Sequence, residues 1–405
     1  MSAISIRNVD VIFGSNTEKS LALLDEGKTR QQIIAITGDT VGVQNASIEI
    51  AEGEICVLMG LSGSGKSSLL RAINGLNTTS RGSLLVQDGE QMVDVASCDS
   101  KKLLHMRSNR ISMVFQNFAL MPWLSVLDNV AFGLEMQGMP KAERQQKARQ
   151  QLEMVGLDQW AEKLPSQLSG GMQQRVGLAR AFAMDTDILL MDEPFSALDP
   201  LIRTQLQDEL IELQQNMKKT IVFVSHDLDE ALKIGSKIGI MESAQIIQYD
   251  TPENIVLNPA NAYVQDFVAH TNPLNVLKGS SLMDPLTTDS SATFGQCIDR
   301  QQQVKLFVNS QQQLHKVTIA EQPCQVQHCP LEMPIEQLAT DKVTVVPADI
   351  GMRRAIEIKY HTGLPLILQQ QEQVLGTLND QSFYHALLGK HFNTQFVDQQ
   401  LQHSA

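Results

Sequence analysis

Gly60-Leu61-Ser62-Gly63-Ser64-Gly65-Lys66-Ser67, with Ser68 directly behind it, decides how the rest of the chain is read. The eight residues fit G-x-x-x-x-G-K-[ST], the pattern of a phosphate-binding loop. Before them, Ile55-Cys56-Val57-Leu58-Met59 is a short apolar run that reads as a buried strand. After them, Ser67-Ser68-Leu69-Leu70-Arg71-Ala72-Ile73 reads as the first turns of a helix. Glycines let the backbone curl closely around phosphate oxygens, because no side chain obstructs the amides. The helix N-terminus adds free N–H groups and a positive dipole end. Lys66 is expected to reach the β- and γ-phosphates, and the Ser67 hydroxyl to ligate Mg2+. Strand, loop and helix together point to nucleotide binding in an α/β fold.

The bulk properties narrow the class. A chain of 405 residues suggests two or three domains. Hydrophobic content of 42% and charged content of 19% describe a folded, soluble chain with ample core. The net charge of −13 argues against a nucleic-acid backbone as partner, which needs a basic face. No charged start followed by an apolar stretch is visible, so no signal peptide is expected. No apolar run reaches the roughly 18 residues of a membrane span. The five cysteines, Cys56, Cys98, Cys297, Cys324 and Cys329, are odd in number and scattered, as for reduced cytosolic thiols. His328 beside Cys329 hints at a metal, but no second ligand pair with the usual spacing follows.

Upstream of the loop, residues 3–9 alternate as a strand, and Phe13-Gly14 ends it where an aromatic ring can stack on a base. Residues 14–40 read as a helical insertion of two short helices, with Leu21, Leu23, Leu24, Ile33, Ile34 and Ile36 on its apolar side. It is surface decoration or a family-specific contact. Residues 41–50 resume strand character.

Downstream, residues 82–86 and 109–116 are further strands, the second ending in Gln116, whose carbonyl is placed to ligate a metal. Phe118-Ala119-Leu120-Met121-Pro122-Trp123 is an apolar loop that suggests a docking surface. Residues 141–159 read as a solvated helix. In Leu168-Ser169-Gly170-Gly171-Met172-Gln173-Gln174-Arg175 a serine and two glycines open a helix and make a second anion site. Asp187-Ile188-Leu189-Leu190-Met191-Asp192-Glu193-Pro194 is an apolar strand ending in two carboxylates. Asp192 is placed to hold Mg2+, directly or through water, and Glu193 to polarise an attacking water. Ser196-Ala197-Leu198-Asp199 follows, and a last strand, residues 220–225, delivers His226 to the same end of the sheet.

This ordered set resembles the ATP-binding subunit of ABC transporters over about residues 3–270. The resemblance implies a P-loop ABC-type nucleotide-binding domain over 1–270, with a helical subdomain carrying the signature at about 118–184. It implies ATP and Mg2+ as ligands, with Ser67, Gln116 and Asp192 at the metal and Phe13 on the adenine. Two copies are then expected to pack head to tail, so that Ser169, Gly170, Gly171 and Gln174 of one complete the ATP site of the other. Glu193 takes the role of general base, His226 that of γ-phosphate sensor, and Asp199 that of communication across the dimer. By the same resemblance, the loop after Gln116 is expected to meet an integral membrane permease, with a substrate-binding protein acting indirectly, and the subunit to be peripheral on the cytoplasmic face of a bacterial inner membrane.

A finer likeness, through Leu23-Leu24-Asp25-Glu26-Gly27-Lys28, Phe118-Ala119-Leu120-Met121-Pro122 and Ala197-Leu198-Asp199-Pro200-Leu201-Ile202-Arg203, is to importers of quaternary amines. Residues 55–59 and 69–74 are most similar to the choline branch, with glycine betaine and proline betaine the alternatives. Residues 271–405 form a small α+β accessory domain. Its β-α-β-β-α order, clearest at 342–389, resembles a degenerate CBS module whose first partner, at 274–338, is poorly patterned. A rival class, soluble ABC ATPases of DNA repair or translation, usually carries two cassettes, a coiled coil or zinc modules, none of which is visible here.

Overall fold

The strand Ile55–Met59 is buried at all five residues, with parallel neighbours paired to both its edges and helices packed on the sheet's faces. Strand order in this six-stranded sheet is Gln245–Asp250, Lys237–Glu242, Ile55–Met59, Thr220–Val224, Ile188–Asp192 and Ile111–Val114. All pairs are parallel except the first, which is an antiparallel hairpin. Strands buried on both faces need continuous apolar runs rather than alternation, and Ile188–Asp192 and Thr220–Val224 have them. Parallel strands deliver all their following loops to one edge, where ligands of such sheets bind. The computed structural model describes residues 2–388 apart from 270, 273, 275, 287–294, 300 and 302. His270 and Pro273 near the expected domain boundary, and residue 389 at the end of the expected CBS-like stretch, therefore lie outside the described residues.

A second, antiparallel sheet runs in the order Thr40–Ala51, Ser2–Phe13, Arg81–Asp88, Gln91–Asp94. Between the two sheets lies the helix Lys66–Ile73, with Leu69, Leu70, Ala72 and Ile73 at most 1% exposed. Its neighbours in this core include Ile4, Ile6 and Ile48 from one sheet and Leu58, Leu190 and Val222 from the other. Burial of each large aliphatic side chain contributes about 1.5–3 kcal/mol, so the helix that closes the phosphate loop is clamped from both sides. Helices Val126–Met136, Lys141–Met154 and Gly170–Ala183 pack on one another as a separate helical group. The expected helical insertion is present as Thr17–Asp25 and Arg30–Thr37.

One expectation fails. Residues 220–225 are not the last strand of the sheet: Lys237–Glu242 and Gln245–Asp250 extend it beyond the phosphate-loop strand. Their connection is the two-residue turn Ser243-Ala244, with φ of 49° and 71°. Such turns normally announce themselves with Asn or Gly, and this one carries neither.

The chain divides into compact units at Pro252/Glu253, ahead of the boundary expected near Thr271. In the second unit, Leu257 packs with Leu274, Leu277 and Leu282, so residues past 252 share its core. The order expected at 342–389 is observed as Val343–Pro347, Met352–Thr362, Leu366–Gln370, Gln373–Leu378 and Asp380–Leu388. Leu366 and Leu368 join one core and Ile367, between them, another, as strand alternation requires. Among the described residues of the poorly patterned half, Gln296–Cys297, Val304–Val308, Leu314–Ile319 and Gln322–Cys324 form an antiparallel sheet. Ile298, Val304, Leu306 and Val317 of that region pack on Val343, Val345, Ile367 and Val374.

Candidate nucleotide site

Three glycines bend the phosphate loop: Gly60, Gly63 and Gly65 have φ of 141°, 77° and 102°. Two of them are also forced by space. A Cβ on Gly60 would stand 2.1 Å from the Met241 carbonyl oxygen, and one on Gly65 2.3 Å from that of Gly42. Gly60→Ala is therefore expected to lose about 2–4 kcal/mol through strain and overpacking. Thermal unfolding and nucleotide titration of the variant check this. Lys66 Nζ donates to the Gly60 and Leu61 carbonyls at 2.7 and 3.0 Å, bridging the mouth of the loop. Burial pushes its pKa down, while the charges of Glu193 and Asp192 pull it back up.

The strand ends bring acids and amides to the same edge. Ser67 Oγ donates to Asp192 Oδ1 at 2.7 Å, and Arg71 donates to the other oxygen of that wholly buried carboxylate at 2.8 Å. Gln116 Nε2 donates to Glu193 Oε2 at 3.2 Å, and His226 Nδ1 stands 3.7 Å from the same oxygen. Glu193 itself sits at φ 51°, a left-handed conformation that costs a β-substituted residue on the order of 1–3 kcal/mol. Its backbone is held there from several directions. Glu193 N donates to Val224 O at 3.1 Å, while Gln174 Nε2 and Ser196 Oγ both donate to Glu193 O at 3.1 Å. Gln174 Oε1 also accepts from Ala197 N at 3.0 Å. The signature helix thus braces the carboxylate turn within one chain.

Other expected residues fall around this cluster or apart from it. Phe13 is half exposed, and its ring lies so close over Gly42 that a Cβ there would come to 2.4 Å. Gly42 also abuts Gly65, so Phe13 is brought beside the phosphate loop, and Ser68 lies against the same glycine. Ser169 caps its helix, accepting from Met172 N at 3.4 Å, with Gly170 exposed beside it. Among the described residues, Ser169 makes no hydrogen bond to Asp192 or Glu193. Asp199 caps the helix Pro200–Met217, accepting from Ile202 N at 3.1 Å.

The loop after Gln116 is fixed by groups the sequence did not reveal. Arg180 donates to the Ala119 and Phe118 carbonyls at 2.7 and 2.9 Å, residues that both have positive φ. Asn129 holds Met121 through both its backbone groups. Trp123 is left 74% exposed. Arg30, Arg71 and Gly42 were likewise not legible as site residues. No motif spacing marks a basic residue that reaches a loop from another element.

The oxygens present suit Mg2+, which takes hard ligands and keeps water and phosphate in most of its positions. A buried carboxylate beside a hydroxyl supplies the protein's share. Among the described residues, no group of three or more His, Cys, Asp or Glu is placed to hold a metal. The "ABC transporter" family description matches residues 43–196. The glycine betaine transport ATP-binding protein OpuAA of Bacillus subtilis is 39% identical over 98% of this chain and 96% of its own. The chain belongs to the ABC transporter ATP-binding proteins. The glycine betaine/proline betaine transport system ATP-binding protein ProV of Escherichia coli is 51% identical over 65% of each chain. A dimeric ATP-binding cassette in a post-hydrolysis state with ADP and Pi superposes with a TM-score of 0.53. It is 30% identical, over 62% of this chain and 98% of that one. This ABC protein is an ATPase coupled to transport, working with ATP and Mg2+. No helix of the described residues is long and apolar enough to cross a membrane.

Proposed function

We propose that the chain energises import of a quaternary amine through a separate permease, as one of two identical ATPase subunits at the cytoplasmic face of the membrane. The reading rests on the convergence of Ser67, Asp192, Glu193, Gln116 and His226 at the carboxyl edge of the sheet, beside the phosphate loop. Lys66, Ser67 and the loop amides hold the phosphates of ATP, and Phe13 stacks on the base. Ser67, Asp192 and Gln116 would hold Mg2+, which would supply positive charge to offset that of the phosphates. Glu193 accepts a proton from the attacking water, oriented by its strained backbone, and His226 contacts the γ-phosphate.

One chain encloses the γ-phosphate on one side only. Ser169, Gly170 and Gly171 of a second copy close the other, Gln174 bracing the turn behind, and Asp199 links the two sites. Closure moves the fixed loop at 118–124 against the permease, and a substrate-binding protein feeds the outer face. Glycine betaine and proline betaine lead the substrate proposal, because the two ATP-binding proteins compared with this chain carry those names. Choline is favoured instead by the likeness at residues 55–59 and 69–74. The second unit, from Glu253 on, is an accessory domain, CBS-like at 343–388, that stabilises the dimer or regulates transport.

Proteoliposomes holding the chain, its permease and its binding protein test the reading. Internal ATP is expected to drive uptake of labelled glycine betaine, proline betaine or choline at least about tenfold above an ATP-free control, given the tight coupling of closure to turnover. A chain that neither sediments with membranes nor drives uptake of any of the three sinks it.

A further inference from the structure

We infer that Arg30, on the 14–40 insertion, is a positioning residue for the phosphate loop that raises its affinity for nucleoside di- and triphosphates. The inference rests on the nucleotide reading above. Arg30 is the first residue of the helix Arg30–Thr37. Thr29 and Gln32 form a capping box that fixes this helix start, with bonds of 3.3 and 3.0 Å. From there Arg30 Nη1 donates to the Gly63 carbonyl at 2.9 Å. The same peptide's N–H, on Ser64, donates to Leu61 O at 3.1 Å. One peptide at the crown of the loop is thus gripped at both ends, and each bond polarises the other.

The insertion is a firm base for this contact. Leu24 and Ile33 are buried with Ile12, Val41 and Ala244, and Asp39 accepts from Ser20 Oγ at 2.8 Å and from Asn16 N. Ala244 N in turn donates to Ser64 O at 3.1 Å, a second link to the loop. Among the described residues, Arg30 Nε is buried without a hydrogen-bond partner, so the guanidinium is fixed to the loop through Nη1. Burial lowers its pKa, yet a guanidinium stays charged. A partly desolvated cation next to an anion site acts through a lower effective dielectric than bulk water.

The test uses the full chain with Arg30→Ala, Arg30→Gln and Arg30→Lys. The KM for ATP is expected to rise about tenfold in the first two with kcat within about twofold, the signature of lost binding rather than lost chemistry. Arg30→Lys, which keeps the charge without the planar fork, should fall between. Melting temperatures without nucleotide should match wild type, since the position is a half-exposed helix start. The rise produced by ADP should shrink while any produced by adenosine is unchanged. A KM within twofold of wild type in both Arg30→Ala and Arg30→Gln overturns the inference, as does equal weakening of adenosine. A wild-type chain that ADP does not stabilise overturns the nucleotide reading itself.

Discussion

Glu193→Gln is expected to slow ATP hydrolysis at least about 100-fold, the low end for loss of a general base. The substitution is close to isosteric. A glutamine carbonyl oxygen can still accept from Gln116 Nε2, now at 3.2 Å, and the backbone remains pinned by Val224, Gln174 and Ser196. What disappears is the capacity to take a proton from water. Nucleotide affinity should survive, because the phosphate loop, Lys66, Ser67 and Asp192 are untouched. A chain that binds but cannot hydrolyse should then accumulate as an ATP-bound dimer, eluting earlier on gel filtration in Mg-ATP than in Mg-ADP. Near-normal turnover would remove Glu193 from the role of base. Loss of both binding and dimer would mean that the turn at φ 51° had collapsed, which a melting curve distinguishes.

How much of this was legible beforehand depended on whether the chemistry left a mark in residue spacing. The phosphate loop did, because its glycines are compelled by backbone contacts at Met241 and Gly42 and not by taste for flexibility. The apolar runs before Asp192 and His226 did as well, since a strand buried on both faces has no polar positions to confuse its reading. The hairpin at 237–250 left no mark, because Ser243 and Ala244 adopt positive φ without the residue types that prefer it. Arg30, Arg71 and Arg180 left none either. Each acts across tens of residues on a carbonyl or carboxylate that only folding brings near. The strain at Glu193 is also silent in sequence, since it is imposed by partners 19 and 31 residues away, Gln174 and Val224. In the second unit, apolar runs such as Val345-Val346 and Leu366-Ile367-Leu368 marked the strands at 343–378, whereas short strands such as Gln296–Cys297 and Gln322–Cys324 are too brief to carry a pattern.

Ser169→Arg is expected to abolish hydrolysis although Ser169 makes no hydrogen bond to Asp192 or Glu193 in its own chain. The change removes an N-cap, at a cost of about 1 kcal/mol. The helix Gly170–Ala183 should tolerate that, because Val176, Leu178 and Ala179 are fully or almost fully buried. Ser169→Ala serves as control for the cap alone and should keep most activity. The arginine acts differently: it places a long cation where the head-to-tail arrangement needs a small donor against the partner's γ-phosphate. Mixed dimers separate this from misfolding. In a dimer of one Lys66→Ala chain and one Ser169→Arg chain, carried on different affinity tags, both lesions fall in a single composite site. The other site then joins an intact phosphate loop to an intact signature. Each homodimer, by contrast, carries a lesion in both sites. The doubly purified mixed dimer should therefore hydrolyse ATP well above either homodimer, up to about half the wild-type rate if the sites turn over independently. A mixed dimer as inactive as its parents would mean either that the two sites fire only together or that Ser169 serves its own chain. Trapping one ATP per mixed dimer in the Glu193→Gln background decides between them, because a site completed within one chain leaves no difference between mixed and parental dimers.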